Sequence, residues 1–118
     1  MNKLIFVFFL CVCAVPCLAD VDVNLLADAI GRAENSKAYP FGIMVKYKKT
    51  TPRQACINTI NHKLRDFKKE GSKGDFIEYL QKTYAPIGAK NDPTGLNKNW
   101  TRIVKFHYSR LTHSKLSV

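Results

Sequence analysis

The sequence is short of acidic residues, long apolar runs and cysteines, and each shortage excludes a class of protein. Only 9 Asp and Glu stand against 19 Lys and Arg, so the formal net charge is +10. The longest apolar run, Leu4–Val15, falls short of the roughly 17–25 residues that a membrane span needs. Three of the four cysteines lie within the first 17 residues, and Cys56 stands alone in the rest of the chain. A disulfide framework and a cysteine-based zinc site are therefore not expected.

The first 19 residues have the layout of a secretory signal peptide. Lys3 precedes the apolar run, and the following Pro16–Ala19 segment ends on a small residue before Asp20. We expect cleavage after Ala19, which makes residues 1–19 the signal peptide and 20–118 a soluble domain exported to the periplasm or the medium. Loss of Lys3 leaves 18 basic and 9 acidic residues, a net charge of +9.

The rest of the chain predicts an all-α fold, a compact single domain of about four main helices. Apolar residues recur at helical spacing, and no segment shows sustained strand alternation. Asp20, Asp22 or Asn24 can cap the first helix, and Trp100 is expected to anchor the fourth in the core. The four segments are residues 21–35, a segment from Thr51-Pro52 to near Gly71, one from Asp75 to before Pro86, and one from near Asn97 or Asn99 that frays past Leu111.

Glu34 is the candidate catalytic residue. It continues the series Leu26, Ile30, Glu34 at four-residue steps and lies in the last turn of its helix. Desolvation and the negative end of the helix dipole both favour the protonated form of a carboxyl group. A carboxyl group placed there is suited to act as a general acid. The alternative is a surface glutamate paired with Lys37, three residues further on.

An ordered set of motifs around Glu34 resembles the lysozyme-like superfamily, in particular the soluble lytic transglycosylase and goose-type lysozyme group. In that group an apolar helix ends in a catalytic Glu, and a Gly-Leu-Met-Gln segment lines the cleft. Asn35 and Val45 depart from the group, which has Ser and Gln at those places. The motifs that carry the resemblance are AIGRAENS at 29–36, PFGIM at 40–44, FIEYL at 76–80, YAP at 84–86, NDP at 91–93 and NKNW at 97–100.

The resemblance implies a lysozyme-like fold and cleavage of peptidoglycan strands between N-acetylmuramic acid and N-acetylglucosamine. Glu34 would protonate the leaving oxygen of the β-1,4 bond, and no cofactor or metal is expected. An inverting hydrolase also needs a second carboxylate, for which Asp92 and Asp75 are candidates. A lytic transglycosylase instead closes a 1,6-anhydro ring with the sugar's own 6-hydroxyl. Turn formation by Asp92 and helix capping by Asp75 are the alternatives, and both reactions stay open.

Six further residues are candidates for contacts with the glycan. Tyr39 and Phe41 can form an aromatic sugar platform, although Phe41 can also anchor its loop to the core. Tyr84 can hydrogen-bond the reacting sugar, or it can be a half-buried residue at the end of the third helix. The remaining three candidates are Met44, Asn91 and Asp92.

The basic runs at 46–49 and 63–69 allow more than one interpretation. Export argues against a nucleic-acid partner, and helices with ordinary core stripes do not fit a membrane-active peptide. A cationic exported domain is suited to an anionic polymer such as bacterial wall material. The main rival to the enzyme, motivated by Asn35 and Val45 in place of the Ser and Gln of the group, is a non-catalytic, cationic cell-wall-binding protein on a lysozyme-like scaffold.

Overall fold

The computed structural model describes residues 21–37, 39–43, 46, 48–88 and 95–116. They form helices α1 (Val23–Glu34), α2 (Pro52–Lys69), α3 (Phe76–Tyr84) and α4 (Trp100–Leu116), with 3-10 turns at Pro40–Gly42 and Leu96–Asn99. The described ranges contain no β-strand, and none of their helices is both long and apolar enough to cross a bilayer. The predicted all-α class with about four main helices is confirmed. The expected signal peptide lies outside the described residues.

Side-chain caps fix where α1, α2 and α3 begin. Asp22, Thr51 and Asp75 each accept a hydrogen bond from the backbone N–H three residues later, at 3.0–3.1 Å. Pro52 follows Thr51 at the first helical position, where its missing N–H costs nothing. Caps of this kind stabilise a helix by about 1 kcal/mol each. Asp22 is thus the cap of α1, one of the three candidates that the sequence offered.

The four helices bury one shared hydrophobic cluster. Helical spacing predicts that α2 buries a stripe of Cys56, Ile60, Leu64 and Phe67, and all of these are buried except Leu64, which is partly buried. At the far end of α2, the Phe67 ring packs against Phe76 and Tyr79 of α3, with centroids 5.4 and 4.9 Å apart. The buried members of the cluster are Leu26, Ala27, Ala29, Ile30, Cys56, Ile60, Phe67, Phe76, Leu80, Ala85, Trp100 and Val104.

Helices α1 and α4 are antiparallel neighbours. At the start of α1, the Asp22 N–H donates to the Tyr108 hydroxyl at 3.0 Å, and the Asp22 carboxylate pairs with Lys115 at 2.7 Å. At the other end, Glu34 of α1 meets Trp100 of α4. The contacts tie both ends of α1 to the last helix of the described chain.

The end of the fourth helix differs from the expectation. The polar residues past Leu111 predict fraying, but α4 continues to Leu116. Tyr108 and Leu111 pack against the core, and Lys115 reaches back to Asp22. These tertiary contacts hold a segment whose local sequence favours no helix, a common override of intrinsic propensity.

Candidate functional site

Glu34 is the last residue of α1, and Asn35 ends the helix immediately after it. Asn35 adopts a left-handed conformation with φ of 40°, and its N–H bonds to the Gly31 carbonyl. Asparagine tolerates this conformation better than most residues, so it serves as a helix stop. The side chain of Glu34 is half-buried, as its place at the edge of the apolar stripe predicts.

The Glu34 carboxylate is held by the indole of Trp100. Nε1 of Trp100 donates to Oε2 of Glu34 at 2.8 Å, and Trp100 is 7% exposed. The alternative in which Glu34 pairs with Lys37 is wrong, because no such ion pair forms and Trp100 is the only hydrogen-bond partner of the carboxylate among the described residues. Trp100 was expected in the core, but its contact with Glu34 was not.

Gly42 presses its backbone against the same carboxyl group. A Cβ atom at this position would lie 3.1 Å from Cδ and 3.2 Å from Oε2 of Glu34. Gly42 also has φ of +71°, in the left-handed region that side chains disfavour. Oε2 is therefore enclosed by the Trp100 indole and the Gly42 backbone.

Phe41 anchors the 3-10 turn Pro40–Gly42 to α1. Its ring lies over Gly31, where a Cβ atom would come within 2.5 Å of the ring carbon Cε1. Phe41 itself has φ of 59°, a strained conformation for a bulky residue that costs of order 1–3 kcal/mol. Packing of the ring against the core holds this strain. The structure therefore favours the anchoring role of Phe41 over a free sugar platform.

Tyr39 lies at the start of the turn and is 48% exposed. Its N–H donates to the Ser36 hydroxyl at 3.0 Å, which orients the chain as it leaves α1. The Tyr39 and Phe41 rings make no contact with each other in the described part of the chain. A contact of both rings with one glycan stays a prediction.

Tyr84 forms the wall behind Trp100. The two rings are nearly parallel at 13°, with centroids 5.7 Å apart. The Tyr84 hydroxyl is buried beside Cys56 and Thr59 of α2, without a hydrogen bond of good geometry among the described residues. Burial raises its pKa well above the ordinary value. Tyr84 is thus half-buried at the end of α3 with its hydroxyl in the core.

Cys56 is buried in the hydrophobic cluster, beside the Tyr84 hydroxyl. Burial raises the pKa of its thiol to about 11, with a smaller contribution from the nearby Glu34 charge, so the thiolate is scarce at neutral pH. A thiol in such surroundings is unreactive. We call Glu34, Trp100, Tyr84, Cys56 and Gly42 the carboxylate–indole cluster.

Of the remaining candidates for a second carboxylate and for further glycan contacts, the structure describes only Asp75. Asp75 caps α3 and pairs with Lys105 at 2.8 Å. Burial alone would raise the pKa of Asp75, but its bonds to Lys105 and to the Glu78 N–H outweigh this and lower it. Met44, Asn91 and Asp92 lie outside the described residues. Among the residues that the structure describes, no group of three His, Cys, Asp or Glu side chains converges as a metal site would require.

A surface groove of about 470 Å³ runs along the flank of α1, next to the cluster. Phe41, Gly31 and Leu111 supply apolar lining, and Arg32 and Lys37 supply positive charge. Glu34 is not among its lining residues, whereas Pro40 and Phe41 of the 3-10 turn are.

The acidic side chains are largely engaged, which leaves much of the positive charge unopposed. Helix α4 contains no Asp or Glu, and its exposed side carries Arg102, Phe106 and Arg110 at four-residue steps. The Arg110 guanidinium lies 5.6 Å from the centroid of the Phe106 ring. The ion pairs of the described residues include Asp22–Lys115, Asp28–Arg53, Asp66–Lys63 and Asp75–Lys105.

Comparison with known proteins adds no relative from which a role could be transferred. The chain matches no protein-family model, no curated protein and no solved structure. The resemblance to the lysozyme-like superfamily stays a prediction from the motifs. Any function has to be argued from the residues of this chain.

Proposed function

We propose that the protein is an exported peptidoglycan-cleaving glycosidase that acts between N-acetylmuramic acid and N-acetylglucosamine, with Glu34 as general acid and base. The supporting observation is the state of its carboxyl group. One oxygen, Oε2, accepts from Trp100, and Oε1 has no hydrogen-bond partner among the described residues. A general acid needs a positioned carboxyl group with one oxygen free to reach the proton acceptor.

The chemistry follows from that arrangement. Glu34 donates its proton to the glycosidic oxygen as the bond to the muramic acid C1 breaks, through an oxocarbenium-like transition state. The resulting carboxylate then accepts a proton from the nucleophile. In transglycosylation the nucleophile is the 6-hydroxyl of the same sugar, whose oxygen bonds to C1 and closes the 1,6-anhydro ring. In hydrolysis the nucleophile is water.

The engagement of Asp75 supports transglycosylation over inverting hydrolysis. Its carboxylate already accepts from the Glu78 N–H and pairs with Lys105, so it is poorly suited to activate water. Transglycosylation needs no second carboxylate. Asp92 stays the other candidate for a water-activating base.

Product analysis tests the proposal. Purified residues 20–118 are incubated with peptidoglycan, and the released fragments are identified by mass spectrometry. Glu34→Gln keeps an acceptor for Trp100 but removes the acid, so we expect product release to fall at least about 100-fold. Glu78→Gln, at an exposed glutamate of α3, is the matched control and should release fragments at the wild-type rate. Anhydro ends indicate transglycosylation, and reducing ends indicate hydrolysis.

The rival is a non-catalytic, cationic wall-binding protein, and the unopposed surface charge favours it. Most acidic side chains of the described residues are held in ion pairs or hydrogen bonds, while α4 contains no acidic residue and exposes Arg102 and Arg110. This arrangement attracts polyanions at long range. Sedimentation with peptidoglycan that is equal for wild type and Glu34→Gln, with no fragments released by either, would establish the rival.

A further inference from the structure

We propose that Trp100 is a positioning residue that assigns the two oxygens of Glu34, keeping Oε2 as an acceptor so that Oε1 carries the proton to the substrate. This inference rests on the proposed role of Glu34 as the acid. It adds a residue from the opposite end of the chain, 66 positions away, to the machinery of proton transfer.

The chemistry of the indole imposes this assignment. An indole N–H can donate a hydrogen bond but cannot accept one. A protonated carboxyl group has one donor oxygen and one acceptor oxygen, so the oxygen that faces Nε1 has to be the acceptor. With Oε2 held at 2.8 Å from Nε1, the acidic proton belongs on Oε1.

The position of Gly42 also favours Oε2 as the acceptor oxygen. The Gly42 backbone closes on this oxygen, since a Cβ atom there would stand 3.2 Å from it. A substrate oxygen therefore has no room to approach Oε2 from the side of the turn. Oε1, the oxygen that bears the proton in this assignment, is not among the atoms nearest to that Cβ position.

A set of hydrogen bonds fixes the backbone that carries Trp100 to α3. The Gln81 side chain on α3 donates to the Asn97 carbonyl at 2.6 Å and accepts from the Thr101 hydroxyl, which fixes the turn that leads into α4. The Asn97 amide donates to the Pro86 carbonyl at 3.1 Å. Stacking of Tyr84 on the indole restricts its ring from behind. Trp100 is therefore held by α3 as well as by its own helix.

The titratable groups next to the pair do not interfere at acid or neutral pH. Cys56 of α2 and Tyr84 of α3 are the titratable neighbours that the described structure shows to interact with Glu34, and burial raises the pKa of each. Both are therefore uncharged at acid and neutral pH. The turn Pro40–Gly42 contributes no titratable side chain, and Trp100 itself does not titrate.

Trp100 is the only tryptophan of the chain, so its fluorescence reports on the contact without any substrate. We expect the emission of Glu34→Gln to differ from that of the wild type at the same pH, because the group that faces the indole N–H has changed. Identical emission of the two proteins would overturn the inference.

Kinetics on peptidoglycan fragments provide the second arm. Trp100→Phe keeps an aromatic ring but removes the N–H, and we expect kcat to fall about tenfold with KM changed less than twofold. Tyr108→Phe is the matched control, because it removes one hydrogen bond between α4 and the start of α1, at the end of α1 away from Glu34, and should leave kcat unchanged. Equal kcat values for Trp100→Phe and Tyr108→Phe would show that Trp100 is only structural.

The two arms separate failure of the inference from failure of the proposed function. Fragment release by the wild type together with an unchanged kcat in Trp100→Phe would overturn the inference alone. No fragment release by the wild type would overturn the proposed function, and the inference with it.

Discussion

Replacing Gly31 with alanine adds one methyl group at the point where the Phe41 ring crosses α1. The new Cβ atom would lie 2.5 Å from Cε1 and 2.9 Å from Cδ1 of the ring, where ordinary contacts begin at 3.4 Å. The ring therefore has to move by about 1 Å, and overpacking of this kind costs about 1–3 kcal/mol. Alanine gains about 1 kcal/mol over glycine inside a helix. We expect Gly31→Ala to lower the free energy of unfolding by up to about 2 kcal/mol.

The sign of the effect should reverse when the ring is removed. In a Phe41→Ala background the clash is gone, so Gly31→Ala should raise the free energy of unfolding by about 1 kcal/mol through helix propensity alone. Urea unfolding followed by far-UV circular dichroism on the four proteins of this cycle measures both steps. If Gly31→Ala were equally stabilising with and without the Phe41 ring, the contact that anchors the turn would be refuted.

Two further predictions concern titratable groups. The hydrogen bonds from Lys115 and from the Leu25 N–H lower the pKa of Asp22. The Asp22–Lys115 pair therefore stabilises the fold at neutral pH, and this stabilisation is lost as the pH falls through the lowered pKa of Asp22. Asp22→Asn should therefore lower the free energy of unfolding by about 0.5–1 kcal/mol at neutral pH and by progressively less below about pH 4. Urea unfolding at stepped pH measures this loss, and a loss that grew on acidification would contradict the assignment. Since burial raises the pKa of the Cys56 thiol from 9.0 to about 11, a thiol reagent should label the native protein at least about 100-fold more slowly than the urea-unfolded chain, and similar rates would mean that the thiol is accessible.

The N-terminal caps and the buried stripe of α2 could be predicted from the sequence. Thr51 before Pro52 and Asp75 before Phe76 are N-terminal signals that act over three or four residues, and the structure has both caps. Apolar spacing also identified the buried stripe of α2, with Ile60 fully buried. These features depend on neighbours in the chain, so periodicity is sufficient to find them.

The hydrogen-bond partner of Glu34 could not be predicted in the same way. Periodicity placed Glu34 at the edge of the core and Trp100 inside it, but nothing in either segment states that they meet. The local rule favoured Lys37, three residues away, and it failed because a buried donor at close range outcompetes an exposed cation. The left-handed backbone conformation of Phe41 could not be predicted from the sequence either, since only the contact of Phe41 with Gly31 explains it.

The pairing of α1 with α4 has a consequence for the order in which the molecule can assemble. The cap residue of α1 depends on Tyr108 and Lys115, which follow it by 86 and 93 positions, and the closing contact at Glu34 spans 66. A chain made only as far as α3 contains α1 but neither of the contacts that fix the ends of α1. Closing loops of this length delays the last step of folding, because their entropy is lost before the contacts reward it. Helix α1, which is made before the other described helices, is therefore expected to be among the last of them to become stable.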